Sequence, residues 1–387
     1  VNAQPSTRDP RLDALRGLFL MIMAAVHVPT PLSHWLQEPF GYVSSAEGFI
    51  FMSASLAGLV YGKTYAKQGW GRMAGKVWRR AGKVYVFQLA VLLPIALIAW
   101  GVADNLPPLA RHFHDFLQHP RTNLALMPLL AHQPPLFDIL PLYVAFLGLT
   151  PLVLAAARRC GWPAVLLVSF AVWSAAQFAP GIHLPGRLSG RMAIHSGPFD
   201  LRAWQFLWIA GLALGQCSVK GSLLTGPRRF WSWAVAAGIV VIGLLSRHGA
   251  LPTPPDFYLW MDKWSLGPLR MLNFGAWVVF LLAWNPRLRS GLLAAPALLG
   301  RQSLVVFSAH LPLVITASCL IQLVGLPPAG QVGIGLLVVA ALFPVALWGE
   351  HKAKRLPAIA AVPERPADTV LLAEYVENNE PAPALAA

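Results

Sequence analysis

Apolar stretches of about 17 to 25 residues follow one another along nearly the whole chain, and very few folds can accept them. They fall near 14–34, 43–62, 84–102, 136–156, 162–180, 202–218, 230–246, 268–285, 301–324 and 331–349. In hydrocarbon each backbone N–H and C=O must find its partner within the segment, which selects helices for such runs. The expectation is an all-α polytopic membrane protein of about ten transmembrane helices. A composition of 56% hydrophobic and 12% charged residues agrees, being far from that of a soluble domain. No internal repeat stands out, and residues 1–355 read as one transmembrane domain. The tail, 356–387, is acidic and punctuated by proline, and reads as disordered or as one short amphipathic helix. The first apolar run lacks a convincing cleavage site and is expected to remain as a span.

The formal net charge of +14 would suit nucleic acid in a soluble protein. On this background it fits juxtamembrane cations that set topology and meet anionic lipid, so membrane lipid and not nucleic acid is the expected partner. Sorted by alternate sides of the ten spans, the 30 Lys and Arg fall on one side except Arg111, Arg121, Arg187, Arg191, Arg202, Arg247, Lys263 and Arg270. The positive-inside rule then makes both termini cytoplasmic. The larger loops, 103–135, 181–201 and 247–267, lie outside. Cys160, Cys217 and Cys319 have neither paired nor metal-like spacing, so no disulfide framework and no metal is expected.

The run RLDALRGLFLMIMAAVHVPTP, residues 11–31, places two ionisable side chains in the first span. Arg16 and His27 are eleven residues apart, about three turns plus 20°, so they share a helix face at an axial separation of about 16 Å. Intramembrane charge is costly and marks function by default. With the N-terminus inside, Arg16 lies toward the cytoplasm and His27 in the outer half. Glu47, early in the returning second span, falls at the depth of His27, where the two are expected to meet as an acid-base pair. On the inner side, GRMAGKVWRRAGKVYVF carries Arg79, Arg80 and Lys83. Such cations serve topology and lipid phosphate, or they grip a phosphorylated cofactor; both readings stand.

RLDALRGL with His27, then GYVSSAEGFIFMSASLAGLVYG, WRRAGKVY and LGRQSLVVFSAHLPL resemble the OpgC family within the acyltransferase-3 superfamily, over about residues 8–350. Glu47 in PFGYVSSAEGFIFMSA points to the narrower OpgC-like branch. The resemblance implies an inner-membrane enzyme of bacteria that succinylates osmoregulated periplasmic glucans from cytoplasmic succinyl-CoA. It also implies His27 as the essential histidine, Glu47 as the acid beside it, and Arg16 with Arg79 and Arg80 as acyl-CoA contacts, with Lys83 in the same cluster. The pantetheine arm is about as long as the separation of Arg16 from His27, so the donor's arm, and not the whole donor, would cross the membrane. Direct transfer with His27 as general base and Glu47 orienting it is the expected mechanism. No cysteine lies near, and Ser44 and Ser45 lack a nucleophile motif. Acetyl transfer to another polysaccharide, or transport of a glycan or lipid-linked sugar, are the competing functions.

Weaker candidates surround these. His310, in the ninth span, either bonds a neighbouring helix or supports the site, and the superfamily's late SL…H pattern favours support. Asp138 is an N-cap or an acceptor ligand, with capping the safer default, and Tyr143 would face the same cavity. Trp260 and Trp264, with Asp256, Tyr258 and Asp262, suit a sugar ring, although an interfacial aromatic belt explains tryptophans as well. His183, Arg187, Arg191, His195 and Asp200 form a similar outer group.

Overall fold

The computed structural model describes residues 10–178, 197–217, 227–252, 254, 257–284 and 290–355. Its elements are helices: α1 (Pro10–His27), α2 (Ser33–Leu36), α3 (Ser45–Val102), α4 (Pro107–His112), α5 (His114–Gln118), α6 (Pro120–Leu126) and α7 (Ile139–Phe178). They continue as α8 (Leu201–Cys217), α9 (Pro227–Arg247), α10 (Phe257–Trp260), α11 (Pro268–Trp284), α12 (Ser290–Arg301), α13 (Ser303–Val324) and α14 (Pro328–Arg355). Five helical runs among the described residues are long and apolar enough to cross a membrane: Ser45–Asn105, Ile139–Phe178, Phe230–Arg247, Ser303–Val324 and Pro328–Ala353. The protein is therefore a multi-pass helical membrane protein.

The expected spans lie on helices, and two of the helical elements carry two spans each across a break. Stretches 43–62 and 84–102 share α3, and 136–156 and 162–180 share α7. A straight helix of 58 residues would be about 87 Å long, nearly three times the hydrocarbon thickness. Gly69, at φ 76° and ψ 176°, interrupts it, and Gly161, at φ 82° and ψ 158°, interrupts α7. Only glycine holds such angles without strain, so each long apolar element is divided near its middle. Across the first break, Lys76 Nζ donates to Gln68 Oε1 at 3.0 Å.

Apolar side chains pack the interior and cover the outside as well. Val86, Leu97 and Ile98 on α3 and Leu167 and Val168 on α7 are exposed apolar side chains, suited to hydrocarbon. The interior holds Trp204 and Trp208 of α8, and Trp208 Nε1 donates to Thr150 Oγ1 of α7 at 3.0 Å. By contacts the chain divides into two compact units, 1–346 and 347–387; in the second, Lys352 Nζ lies 5.1 Å from the Trp348 ring. The tail from Leu356 onward lies outside the described residues.

α1 and α12 approach so closely that side chains are excluded at the crossing. A Cβ on Gly17 would stand 1.8 Å from the Pro296 carbonyl oxygen, and one on Gly300 would stand 1.8 Å from that of Asp13. Both obstacles are backbone and cannot swing away. Gly17→Val is expected to destabilise by about 1–3 kcal/mol or more, read as a lower thermal midpoint in detergent. An unchanged midpoint would show that the helices do not cross this closely.

Candidate active site

Two groups of buried polar side chains involve the expected site residues, and α1 contributes to one of them. Arg16 is buried, donates from Nη2 to Ser303 Oγ at the start of α13, and lies 5.9 Å from the Phe49 ring. His27 closes α1 and is half-buried. Its ring stacks on His310 of α13, with centroids 5.6 Å apart and planes inclined by 22°. Helices α1 and α13 thus touch twice through polar side chains, at Arg16–Ser303 and at His27–His310. Arg16 and His27 stand apart along one helix, as their spacing predicts, and His310 joins the second of them.

The expected contact of Glu47 with His27 is not made. Glu47 is fully buried; its Oε1 accepts from Arg270 Nε at 2.5 Å, and its Oε2 accepts from the Ser44 backbone N–H at 3.1 Å and from the Ser44 hydroxyl. The physical reason is local as well as tertiary. Ser44-Ser45-Ala46-Glu47 is a capping box, in which the acid returns to the N-cap residue and satisfies the start of α3. The remaining charge is then met by a guanidinium that α11 delivers.

Arg270 continues the second group. Its Nη1 donates to Glu38 Oε1 at 2.6 Å and to the Met261 carbonyl at 3.2 Å, and Glu38 Oε2 accepts from Arg247 Nε at 2.5 Å. Glu47, Arg270, Glu38 and Arg247 therefore alternate in sign across the start of α3, α11, the segment after α2 and the end of α9. Of these four, sequence reasoning identifies only Glu47 as a site residue. Arg270 has a signal, a cation at the start of the apolar helix PLRMLNFGAWVVFLLAW; Glu38 has none.

Burial opposes ionisation of Glu38, but the Arg270 guanidinium, and after it Arg247, hold its carboxyl below the ordinary value of 4.5. The folded state thus has the lower pKa. Ionised Glu38 stabilises the fold above about pH 4.5, and that contribution is lost as pH falls through the depressed value. Glu38→Gln is expected to lower the thermal midpoint at neutral pH and to make its decline below about pH 5 shallower. Parallel acid limbs for the two proteins would exclude Glu38 from the pH response.

The other expected site residues are placed as follows. Arg79 is exposed and donates from Nε to the Gly75 carbonyl at 3.2 Å; Lys83 is exposed, 5.9 Å from the Phe87 ring; Arg80 is half-buried, within electrostatic reach of Tyr61. Among the described residues none of the three forms an ion pair, which leaves their charges available to phosphate. Asp138 is half-buried immediately before α7, and its carbonyl accepts from Leu142 N–H at 3.4 Å, as a helix-start residue does. Both Asp138 and His27 lie within electrostatic reach of Lys263. Tyr143 is buried edge-on to Trp208, at 5.2 Å. Trp260 and Trp264 are exposed, and Lys263 lies over the Trp264 ring at 5.2 Å. Asp262 turns back to accept from Ser265 N–H at 2.7 Å and Oγ at 2.6 Å, and Asp200 pairs with Arg202 at 2.6 Å. His183, Arg187, Arg191, His195 and Asp256 lie outside the described residues.

Apolar helices long enough to cross a bilayer, with a buried arginine and a histidine pair at two levels among them, define a multi-pass membrane protein. The chain belongs to the OpgC family: a family profile described as OpgC protein matches residues 8–354, nearly its whole length. Family membership implies an acyltransferase connected with glucan succinylation. Comparison with curated proteins and with solved structures gives no match.

Proposed function

We propose that this protein is a transmembrane O-acyltransferase that moves a succinyl group from cytoplasmic succinyl-CoA to a hydroxyl of a periplasmic glucan. In this reading it crosses the bacterial inner membrane ten times, with both termini cytoplasmic. The observation that supports it most is α1, which carries buried Arg16 at one level and half-buried His27 three turns further on. A donor held by its phosphates at the first level has the length to present its thioester at the second.

Arg16, Arg79, Arg80 and Lys83 hold the donor's phosphates, with guanidinium forks suited to bidentate contact. His27 takes the proton of the glucan hydroxyl while that oxygen attacks the thioester carbonyl. The C–O bond forms, the C–S bond breaks, and the CoA thiolate receives the proton back from the imidazolium. Glu47 acts at one remove in this mechanism, holding Arg270 and the start of α3 rather than the imidazole. Asp138, Tyr143, His310, Trp260 and Trp264 belong to the acceptor side. There the exposed indoles offer flat apolar faces to sugar rings.

Mass spectrometry of periplasmic glycans from cells with and without the gene tests the proposal. A succinyl increment present only with the gene is the expected result. An acetyl increment would replace the donor, and unchanged glycans would overturn the enzyme reading in favour of transport.

A further inference from the structure

The two stacked histidines each carry a buried nitrogen that has no hydrogen-bond partner: Nδ1 of His27 and Nε2 of His310. Buried polar atoms are rarely left so, and each such atom calls for an explanation. The protonation of His310 is constrained by its other nitrogen. Its Nδ1 lies against the Phe307 carbonyl, and a carbonyl only accepts, so Nδ1 carries the hydrogen. In the neutral ring Nε2 is then a bare lone pair, always an acceptor. The ring is 2% exposed and meets the Phe307 ring edge-on at 4.7 Å.

His27 presents the complementary problem. It is half-buried, yet its Nδ1 is enclosed. A general base must keep the nitrogen that faces its substrate bare, which puts the hydrogen of the neutral ring on the enclosed Nδ1. That N–H needs an acceptor, and Glu47, the acceptor expected from sequence, is engaged by Arg270 and Ser44. The rings are neighbours, with centroids 5.6 Å apart, and their two partnerless nitrogens do not bond each other, which leaves a bridging oxygen as the link that would satisfy both.

We propose that His310 is the positioning residue of the reaction: its fixed Nε2 lone pair is joined to His27 Nδ1–H across one bridging water, which accepts from His27 and donates to His310. His310 thereby holds His27 in the tautomer whose Nε2 is free to take the acceptor's proton, and it stabilises the imidazolium that forms. The role rests on the acyltransfer reading above, and it moves His310 from the acceptor side to the base itself.

Two substitutions separate this role from a structural one. Asparagine places an amide near the position of Nδ1 and can keep the bond to Phe307, but it offers nothing at Nε2. Glutamine places its amide near Nε2 and restores the acceptor. In purified, reconstituted full-length protein with succinyl-CoA and a glucan oligosaccharide, His310→Asn is expected to lower kcat by about 10²-fold at unchanged donor KM. His310→Gln is expected to stay within about tenfold of the wild type. The reverse order, asparagine active and glutamine inactive, would overturn the proposal in favour of a purely structural bond to Phe307. A second readout does not depend on transfer. In ¹⁵N-histidine-labelled protein the His27 Nδ1 resonance is expected to shift in His310→Asn and to return toward its wild-type position in His310→Gln. An unmoved His27 resonance in both variants overturns the proposal, whether or not the wild type transfers succinate. A wild type inactive on every donor, with the resonance shifts intact, would overturn the acyltransfer reading alone.

Discussion

Replacing His27 by alanine is expected to reduce succinyl transfer by about 10²–10⁴-fold, the range that a positioned general base supplies. The fold should persist. His27 is the last residue of α1 and half-buried, and its principal packing is one stacked ring, an interaction of about 0.5–1.5 kcal/mol beyond area burial. Donor binding should persist too, because Arg16 is held separately by Ser303 at the other end of the helix. The measurement is therefore kcat, KM for succinyl-CoA and thermal midpoint on the same detergent preparation. Near-normal transfer at matched expression would sink the general-base mechanism, and a collapsed midpoint would reassign His27 to stability.

Arg270→Met is expected to destabilise the protein by about 3–5 kcal/mol, since removing one partner of a buried pair strands the other. Here it strands Glu47, fully buried and bonded at 2.5 Å, and it takes from Glu38 one of its two cations, the other being Arg247. Adding Glu47→Gln to Arg270→Met should recover part of the loss, because the neutral amide is no longer an uncompensated buried charge. The pair of changes would then cost less than the sum of the singles. Unfolding of the three variants in one detergent provides the comparison. Strict additivity, or an Arg270→Met variant close to the wild type, would mean that the four-charge chain does not hold α3, α9 and α11 together.

Much of the architecture is legible in the sequence because hydrocarbon imposes a simple rule on it. Apolar runs of the right length must be helical, and all ten expected runs lie mainly on helices. What hydropathy leaves out is how the axis breaks: Gly69 and Gly161 divide α3 and α7 by single backbone angles, leaving the paired runs on separate helical segments. Hydropathy reports where a chain is apolar, not how its axis bends. By hydropathy α12 falls in an inner loop, yet it is the helix that crosses α1 at Gly17 and Gly300. Twelve residues interrupted by Pro296 and flanked by arginines give too weak a signal to mark a packing partner.

The candidate site divides in the same way. Arg16 and His27 can be placed on one helix face from sequence alone, because 3.6 residues per turn converts spacing into direction. The Ser44–Glu47 capping box is equally local, and it accounts for an acid whose depth alone suggests catalysis. The sequence by itself determined the membrane class, the family, and the alignment of Arg16 with His27, all of which depend on properties that act within a few turns. The partners of Glu47 and His27 were decided by the tertiary structure: Arg270 lies 223 positions from Glu47 in the chain, and His310 stacks on His27 from a separate helix. A buried carboxylate is met by whichever cation helix packing delivers, and no periodicity along the chain encodes which one that is.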